Sequence, residues 1–288
     1  MKKSLNFLSI FFSTFLIFSD ASKAELEAEC HNDENEGWAY CINTTVGSES
    51  KDALYFFHGV TGSENSWTEG ANIELREGIR KTWEENNLQA PTVVTISYGS
   101  TWMLNDDYYE KVANNIIPMI EEGHLKSAKG KRLVMGVSMG GFNALQLLFK
   151  KKDFFSRAAI LSPMIPICDP WLEKNALYIC IAADTSDNNA YATYQSHQLV
   201  KSYFSNRSEW DQVNPLNLAQ DELNESFPPT ILSTGFKDAF GFFSTSHKLS
   251  KIAERNLAPV KWEGTYLEHA QYDYKKVGLF LMGIETEE

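Results

Sequence analysis

The sequence predicts an α/β fold, in which a mostly parallel sheet carries helices on both of its faces. From Ala53 onward, short apolar runs alternate with longer stretches whose apolar residues return every three or four positions. The short runs are continuously apolar, as parallel strands buried on both faces usually are. The chain has 288 residues, and we expect residues 25–288 to form a single domain.

The first 24 residues have the pattern of a removable export signal. Lys2 and Lys3 precede an apolar run from Leu5 to Phe18, and small residues follow at Ser22 and Ala24. The run is shorter than the ~20 apolar residues that a membrane span needs, although an uncleaved anchor remains an alternative. We expect cleavage after Ala24, no stable membrane insertion afterwards, and a secreted or periplasmic mature protein.

Six strands and five helices follow from the alternating pattern. The predicted strands are residues 54–57, 92–97, 132–137, 157–161, 230–234 and 260–265, and the predicted helices are residues 72–86, 108–122, 140–150, 243–256 and 272–282. Residues 163–229 interrupt the alternation and are rich in Asn, Asp, Ser and aromatic residues. We expect this segment to be an insertion over the carboxyl ends of the strands, where open α/β sheets bind their ligands.

The charge pattern argues against nucleic acid as a partner. The formal net charge is −12, and the chain has no cluster of Lys and Arg that could follow a phosphate backbone.

Four cysteines predict two disulfides in an exported chain, Cys30 with Cys41 and Cys168 with Cys180. We prefer these pairs among the three possible connectivities because each is local and lies outside the predicted strands. A metal site is disfavoured, because no C-x-x-C pattern occurs and His31 is the only imidazole nearby in sequence.

The most specific motif is Gly136-Val137-Ser138-Met139-Gly140-Gly141. It follows a predicted strand and opens a predicted helix, which is the setting of a G-x-S-x-G nucleophile elbow. A serine before a helix is more often only an N-cap, but the strand, the helix and the third glycine favour Ser138 as a nucleophile. The elbow indicates the α/β-hydrolase fold.

A serine nucleophile needs a base that is oriented by an acid, and this fold supplies them in the order serine, acid, histidine. His269 lies in a loop after the last predicted strand, which makes it the candidate base. Asp238 follows the preceding strand and is the candidate acid. Asp184, after the apolar run 176–183, is the alternative acid, and a simple turn or capping role is the alternative for Asp238.

Acyl transfer also requires donors for the oxyanion of the tetrahedral intermediate, each worth about 3 to 4 kcal/mol. We assign one to the backbone N–H of Met139, next to the nucleophile. The second belongs to the loop after the first predicted strand, where we choose Val60, with Thr61 as the neighbouring alternative. We expect His58 to brace this loop through a side-chain hydrogen bond.

These motifs together resemble the esterase D branch of the α/β-hydrolases. The likeness rests on H-G-x-x-G-S from His58 with Trp67 after it, on G-x-S-M-G-G around Ser138, on G-x-x-D-x-F around Asp238 and on a late loop histidine. That branch includes feruloyl and other carbohydrate esterases, S-formylglutathione hydrolase and the mycolyltransferases. The resemblance implies a triad of Ser138, Asp238 and His269, and an oxyanion hole at Val60 and Met139.

We therefore predict a serine carboxylic ester hydrolase that forms an acyl-enzyme and needs no metal or organic cofactor. Its expected substrate is a small-molecule or glycan-linked ester. An acyltransferase with the same triad is the nearest alternative, and a noncatalytic binding protein on the same fold is a more distant one. Several tryptophans could line the pocket or belong to the core: Trp67, Trp102, Trp171 and Trp210.

Overall fold

The computed structural model describes residues 25–33, 37–98, 106–125 and 130–285. The predicted export signal and Trp102 lie outside these residues. Within them, eight strands form one sheet: β1 (Leu26–Asp33), β2 (Trp38–Thr45), β3 (Ala53–Phe57), β4 (Thr92–Ser97), β5 (Arg132–Val137), β6 (Arg157–Leu161), β7 (Thr230–Lys237) and β8 (Val260–Glu268).

The strand order across the sheet is β1-β2-β4-β3-β5-β6-β7-β8. Strands β3 to β8 are all parallel to one another, whereas β2 runs antiparallel to both β1 and β4. The mostly parallel sheet predicted from the sequence is confirmed. The six predicted strands correspond to β3 to β8, of which β7 and β8 each extend three residues further than predicted.

Ten α-helices lie in the described part of the chain. They are α1 (Ile73–Glu85), α2 (Asp106–Lys111), α3 (Ile117–Gly123), α4 (Met139–Lys150), α5 (Lys174–Ala182), α6 (Ala190–Tyr203), α7 (Arg207–Val213), α8 (Pro215–Glu222), α9 (Phe242–Arg255) and α10 (Tyr274–Leu281). A π-helical turn, Val112–Ile116, joins α2 to α3. The single helix predicted over residues 108–122 is therefore one continuous helix that is interrupted in the middle by this π-helical turn.

Alternate residues of the central strands pack against helices on opposite faces of the sheet. On β3, Leu54 and Phe56 belong to the core beneath α1 and α10, whereas Tyr55 and Phe57 belong to the core beneath α3, α4 and α9. All these side chains are almost completely buried. This two-sided burial explains why the central strands are continuously apolar in sequence.

Both predicted disulfides are present, and one of them joins two strands that the sequence did not predict. Cys30 on β1 and Cys41 on β2 face each other directly across the antiparallel pair, with their Cα atoms 4.0 Å apart. The hairpin was missed because β1 is a mostly exposed edge strand of polar sequence, so it lacks the apolar run that marks a buried strand.

The insertion, residues 163–229, contains the four helices α5 to α8. Three of them begin at asparagine N-caps, Asn189, Asn206 and Asn214, whose side chains accept hydrogen bonds from the first turn. The disulfide between Cys168 and Cys180 ties the start of the insertion to α5. Nowhere in the described ranges is a helix long and apolar enough to cross a membrane.

Candidate active site

Ser138 occupies the sharp turn between β5 and α4, with φ 57° and ψ −118°. Holding a non-glycine residue in this sparsely populated region of φ/ψ space costs about 1 to 3 kcal/mol. The turn is held by backbone hydrogen bonds on both sides: the Ser138 N–H donates to the Leu161 carbonyl (2.9 Å), and the Ser138 carbonyl accepts from the N–H groups of Phe142 (3.1 Å) and Met164 (3.0 Å). Hydrogen bonds from strand β6, helix α4 and the segment after β6 therefore hold the strained conformation.

The glycines of the motif are required by close backbone contacts. A Cβ atom on Gly136 would collide with the carbonyl of Gly140, and one on Gly140 would collide with the carbonyl of Phe57 at the end of β3. Because the obstacles are backbone atoms of buried elements, they have little room to move. The elbow thus presents Ser138 at the N-terminus of α4, where the Met139 N–H lies in the first turn and has no partner within the helix.

Asp238 and His269 are joined by a hydrogen bond. The His269 Nδ1 atom lies 2.7 Å from Asp238 Oδ2, and the Asp238 side chain is completely buried. The other carboxylate oxygen of Asp238 accepts from the Phe240 N–H at 2.9 Å. An imidazole that donates from Nδ1 leaves Nε2 free to accept a proton, which is the tautomer a general base needs.

The ends of β7 and β8 bring this pair together. A bulge between Gly235 and Lys237 shifts the register of the two strands, and a Cβ atom on Gly235 would collide with the carbonyl of Leu267. Past the strand, the His269 ring packs edge-on against Phe240 and Phe242, at centroid distances of 4.7 and 5.7 Å. Aromatic contacts and the buried carboxylate therefore fix the orientation of the imidazole.

Asp184, the alternative acid, has other partners. Its carboxylate accepts from the side chains of Ser186, Asn188 and Ser244 and from the Ser186 N–H. Burial alone would raise the pKa of Asp184, but these hydrogen bonds outweigh burial and lower it. The carboxylate is thus an anchor between the insertion and α9.

The loop after β3 passes directly beside the nucleophile. A Cβ atom built on Gly59 would lie 3.6 Å from the Ser138 Cβ, and the Gly62 N–H closes a turn onto the Gly59 carbonyl at 3.0 Å. His58 is buried and contacts the Gly59 carbonyl through Nδ1 (2.7 Å) and the Ser97 hydroxyl through Nε2 (2.8 Å). Burial lowers the pKa of His58, so a neutral imidazole braces the loop as expected.

A cavity of about 570 Å³ opens over these groups. Ser138, His269, Val60 and Thr61 all line it, so the structure brings the predicted nucleophile, the predicted base and both candidate residues for the second oxyanion donor to one space. The volume is that of a site for a small organic ligand. Met139 lies beneath the cavity, almost completely buried in the core.

The insertion contributes to the cavity, as its expected position over the carboxyl ends of the strands implies, although the sequence did not single out α6. Gln195, Ser196 and Leu199 of α6 line the cavity, as do polar residues that follow the loop after β3, among them Asn65 and Glu69. The capping asparagine Asn189, which starts α6, is the sequence signal that could have placed this helix.

The tryptophans belong to the core. Trp67 packs edge-on against Phe56 at 5.4 Å, and Trp210 stacks on Phe142 at 5.9 Å; both are buried. Trp171 packs against the same core as Trp210. These three side chains are absent from the lining of the cavity among the residues described.

Comparison with known proteins gives a family match and many similar folds. A family model named Esterase matches residues 46–212. A ferulic acid esterase superposes with a TM-score of 0.62 at 15% identity, covering 90% of this chain and 95% of its own. Carboxyl esterase 2 from Tuber melanosporum gives 0.63 at 14%, covering 92% and 88%. A fungal esterase from Rhizomucor miehei gives 0.64 at 15%, covering 90% and 84%.

Proposed function

This chain belongs to the Esterase family and has the α/β-hydrolase fold, and on that premise we propose that it is a serine carboxylic ester hydrolase. The observation that carries the proposal is the 2.7 Å hydrogen bond between His269 and the buried Asp238, at a cavity that Ser138 also lines. A strained serine, an oriented imidazole and a buried acid are the three parts that acyl transfer by this route needs.

In the acylation step, Ser138 Oγ attacks the acyl carbon of the ester while His269 Nε2 takes the hydroxyl proton. The ester C–O bond then breaks, and the imidazolium returns that proton to the departing alcohol. Asp238 stabilises the imidazolium by accepting the Nδ1–H hydrogen bond. Its complete burial keeps water from competing for that bond, which makes the contact stronger than one at the surface.

The oxyanion of each tetrahedral intermediate is assigned to the N–H groups of Met139 and Val60. The Met139 N–H begins α4, so the positive end of the helix dipole adds to the donor. Val60 follows Gly59, which contacts Ser138, and Thr61 is the alternative donor in the same turn. Deacylation repeats the sequence with water, activated by His269, in place of the alcohol.

The shape of the cavity supports a small-molecule or glycan-linked ester as substrate. Apolar side chains, Met164, Leu199 and Phe242, suit an acyl or aryl group, while the polar groups of Asn65 and Glu69 suit a hydroxylated alcohol. The name of the similar ferulic acid esterase agrees with an aryl acyl group.

Export is part of the proposal. Two disulfides with no free cysteine among the described residues suit an oxidising compartment, as does the leader pattern in residues 1–24. We place the mature protein outside the cytoplasm, with residues 25–288 as one domain.

The test is labelling with a fluorophosphonate probe, followed by hydrolysis of p-nitrophenyl and feruloyl esters. We expect stoichiometric labelling of the wild type, with the modified peptide containing Ser138. Ser138→Ala should remove the label and lower turnover by at least about four orders of magnitude, because it deletes the nucleophile while keeping the fold. Near wild-type turnover in the purified variant would refute the mechanism.

The same assay separates the two alternatives. A folded protein that takes no label is a binding protein, and a labelled protein that transfers its acyl group to added glycerol or sugar faster than to water is an acyltransferase. Product analysis by mass spectrometry distinguishes ester from free acid in a single experiment.

A further inference from the structure

A second cluster of polar side chains lies at the outer hairpin, away from the groups discussed above. It consists of Glu29 and His31 on β1 and of His124, which caps the C-terminus of α3. His31 Nε2 lies 2.9 Å from Glu29 Oε1, His124 Nδ1 lies 3.6 Å from the same oxygen, and the two imidazole rings are 4.5 Å apart. One nitrogen of each ring and one carboxylate oxygen all lie within 4.8 Å of one another.

The backbone holds two of these groups in place before any ligand binds. Glu29 and His31 are two residues apart on one strand, so they project from the same face. Cys30 lies between them and is bonded to Cys41 on the neighbouring strand, which prevents the hairpin from slipping in register. Tyr40, directly opposite His31, stacks on its ring at 4.8 Å.

Tyr40 also orients the second imidazole. Its hydroxyl lies 3.0 Å from His124 Nε2, and the tyrosine ring is buried. A metal-binding histidine almost always donates its other ring N–H to an acceptor, which fixes the tautomer and exposes the remaining lone pair. With Tyr40 accepting from Nε2–H, the lone pair of His124 Nδ1 faces Glu29 and His31.

From this geometry we propose that Glu29, His31 and His124 form a zinc site, with water as the fourth ligand. Two imidazoles and one carboxylate with an open position are a ligand set that Zn²⁺ accepts. Bonds of about 2.0 to 2.2 Å in a tetrahedral shell place neighbouring ligand atoms roughly 3.3 Å apart. The two contacts of Glu29 Oε1, at 2.9 and 3.6 Å, bracket that spacing.

The sequence disfavours a metal site at the cysteines and gives no signal for this one, because His124 is remote from His31 along the chain. The bound metal would join β1 to α3. Strand β1 is an edge strand that pairs only with β2 among the described strands, so a metal bridge to a helix gives it a second attachment and protects an open sheet edge. The expected consequence of zinc binding is a firmer attachment of β1 to the rest of the protein.

The experiment uses the purified mature chain, freed of metal with a chelator and titrated with ZnCl₂ by isothermal titration calorimetry. We expect one zinc per chain and a higher melting temperature in its presence, because the metal binds the folded state. His31→Gln and His124→Gln should each weaken binding by more than about tenfold and abolish the rise in melting temperature. Tyr40→Phe should weaken it by about 10- to 100-fold without removing a ligand.

His247→Gln is the matched control, since His247 is an exposed histidine on α9, remote in the fold from the cluster. It should bind zinc as the wild type does. The circular dichroism spectrum and the metal-free melting temperature of His31→Gln should match those of the wild type, which shows that the variant is folded. Absence of saturable zinc binding, or binding that survives both histidine substitutions, would overturn the proposal.

X-ray absorption on the zinc-loaded protein supplies a second measurement. It should show two imidazole nitrogens and two oxygens in the first shell. A shell containing sulfur would place the metal at opened disulfides and would also refute this site.

Discussion

The catalytic end of the sheet and the insertion above it hold their polar groups by different means. At the catalytic end, meaning the turns after β3, β5, β7 and β8, the chain segments touch backbone to backbone. Gly140 lies against the carbonyl of Phe57, and Gly235 lies against that of Leu267. In the insertion, side chains hold the backbone instead: Asn189 caps α6, and His197 of α6 accepts a hydrogen bond from the Cys168 N–H at 3.1 Å.

Because the two regions are held differently, substitutions in them should have effects of different size on the positions of their side chains. Backbone contacts at the catalytic end leave no space for one added methyl group, so the position of Ser138 depends on neighbours in three strands. The caps and the disulfide of the insertion are local, and losing one loosens a single helix. Catalytic geometry should therefore be sensitive at the first region, and substrate fit should be sensitive at the second.

The largest expected effect separates the two aspartates. Asp238→Asn should lower turnover by up to about four orders of magnitude, because the amide favours the wrong tautomer of His269. Asp184→Asn should lower turnover less than tenfold, because its partners are Ser186, Asn188 and Ser244. Steady-state kinetics on an aryl ester measure both; a silent Asp238→Asn beside an inactive Asp184→Asn would reverse the assignment of the acid.

Next in size is the effect of one methyl group at the elbow. Gly140→Ala should destabilise the protein by about 3 kcal/mol and lower turnover more than tenfold, because the new Cβ meets the carbonyls of Phe57 and His58. Gly123→Ala is the matched control, since a Cβ at that exposed position in α3 has no atom within 4 Å. Urea denaturation should show no loss of stability for the control, and equal losses would contradict the backbone argument.

Removing each disulfide in turn tests whether the insertion contributes more to substrate fit than the N-terminal hairpin does. Replacing Cys168 and Cys180 with serine should lower the free energy of unfolding by about 3 kcal/mol and raise KM more than it lowers kcat, because α5 and α6 support the wall of the cavity. Replacing Cys30 and Cys41, which close a loop of similar length, should cost similar stability but raise KM less, because that disulfide contacts the cavity lining only through the Asn65 side chain among the described residues. An equal rise in KM from both replacements would show that the insertion has no greater influence on substrate fit than the hairpin.

The smallest effect concerns two buried histidines, one in each region. Burial lowers the pKa of both His58 and His197, so each is neutral when folded but gains a proton below about pH 6.5 when unfolded. The unfolded state then binds more protons, and stability falls as the pH drops below 6.5, by at most about 1.4 kcal/mol per pH unit for each histidine.

Melting temperatures between pH 7.5 and 5.5 test this effect. His197→Gln keeps an acceptor for the Cys168 N–H and should flatten the decline with little change in kcat. A decline as steep as that of the wild type would show that His197 does not contribute to it.

The central fold was predictable because strands buried on both faces leave a continuous apolar signal. Strand β5 and strand β6 begin and end where the sequence predicts. Strand β1 was not predictable in that way, since a polar edge strand needs no apolar run. Helices α7 and α8 of the insertion have no continuous apolar run either, and the capping asparagines Asn206 and Asn214 are the sequence signals that mark where they begin.

The candidate site was predicted from chain order rather than from any local pattern at His269 or Asp238. Topology places the ends of adjacent parallel strands together, and β7 and β8 are adjacent. The α6 wall of the cavity and the approach of His124 to His31 follow from contacts between segments remote in sequence. A single sequence carries no pattern for such contacts.

The order of the cysteines along the chain has a consequence for how the protein matures. Cys30 joins the next cysteine to emerge, Cys41, and Cys168 joins the next, Cys180. An oxidant that links cysteines in order of arrival makes the native bonds directly, because no other cysteine lies between the two members of either pair. The chain can therefore acquire its covalent bonds without an isomerase to exchange wrong ones.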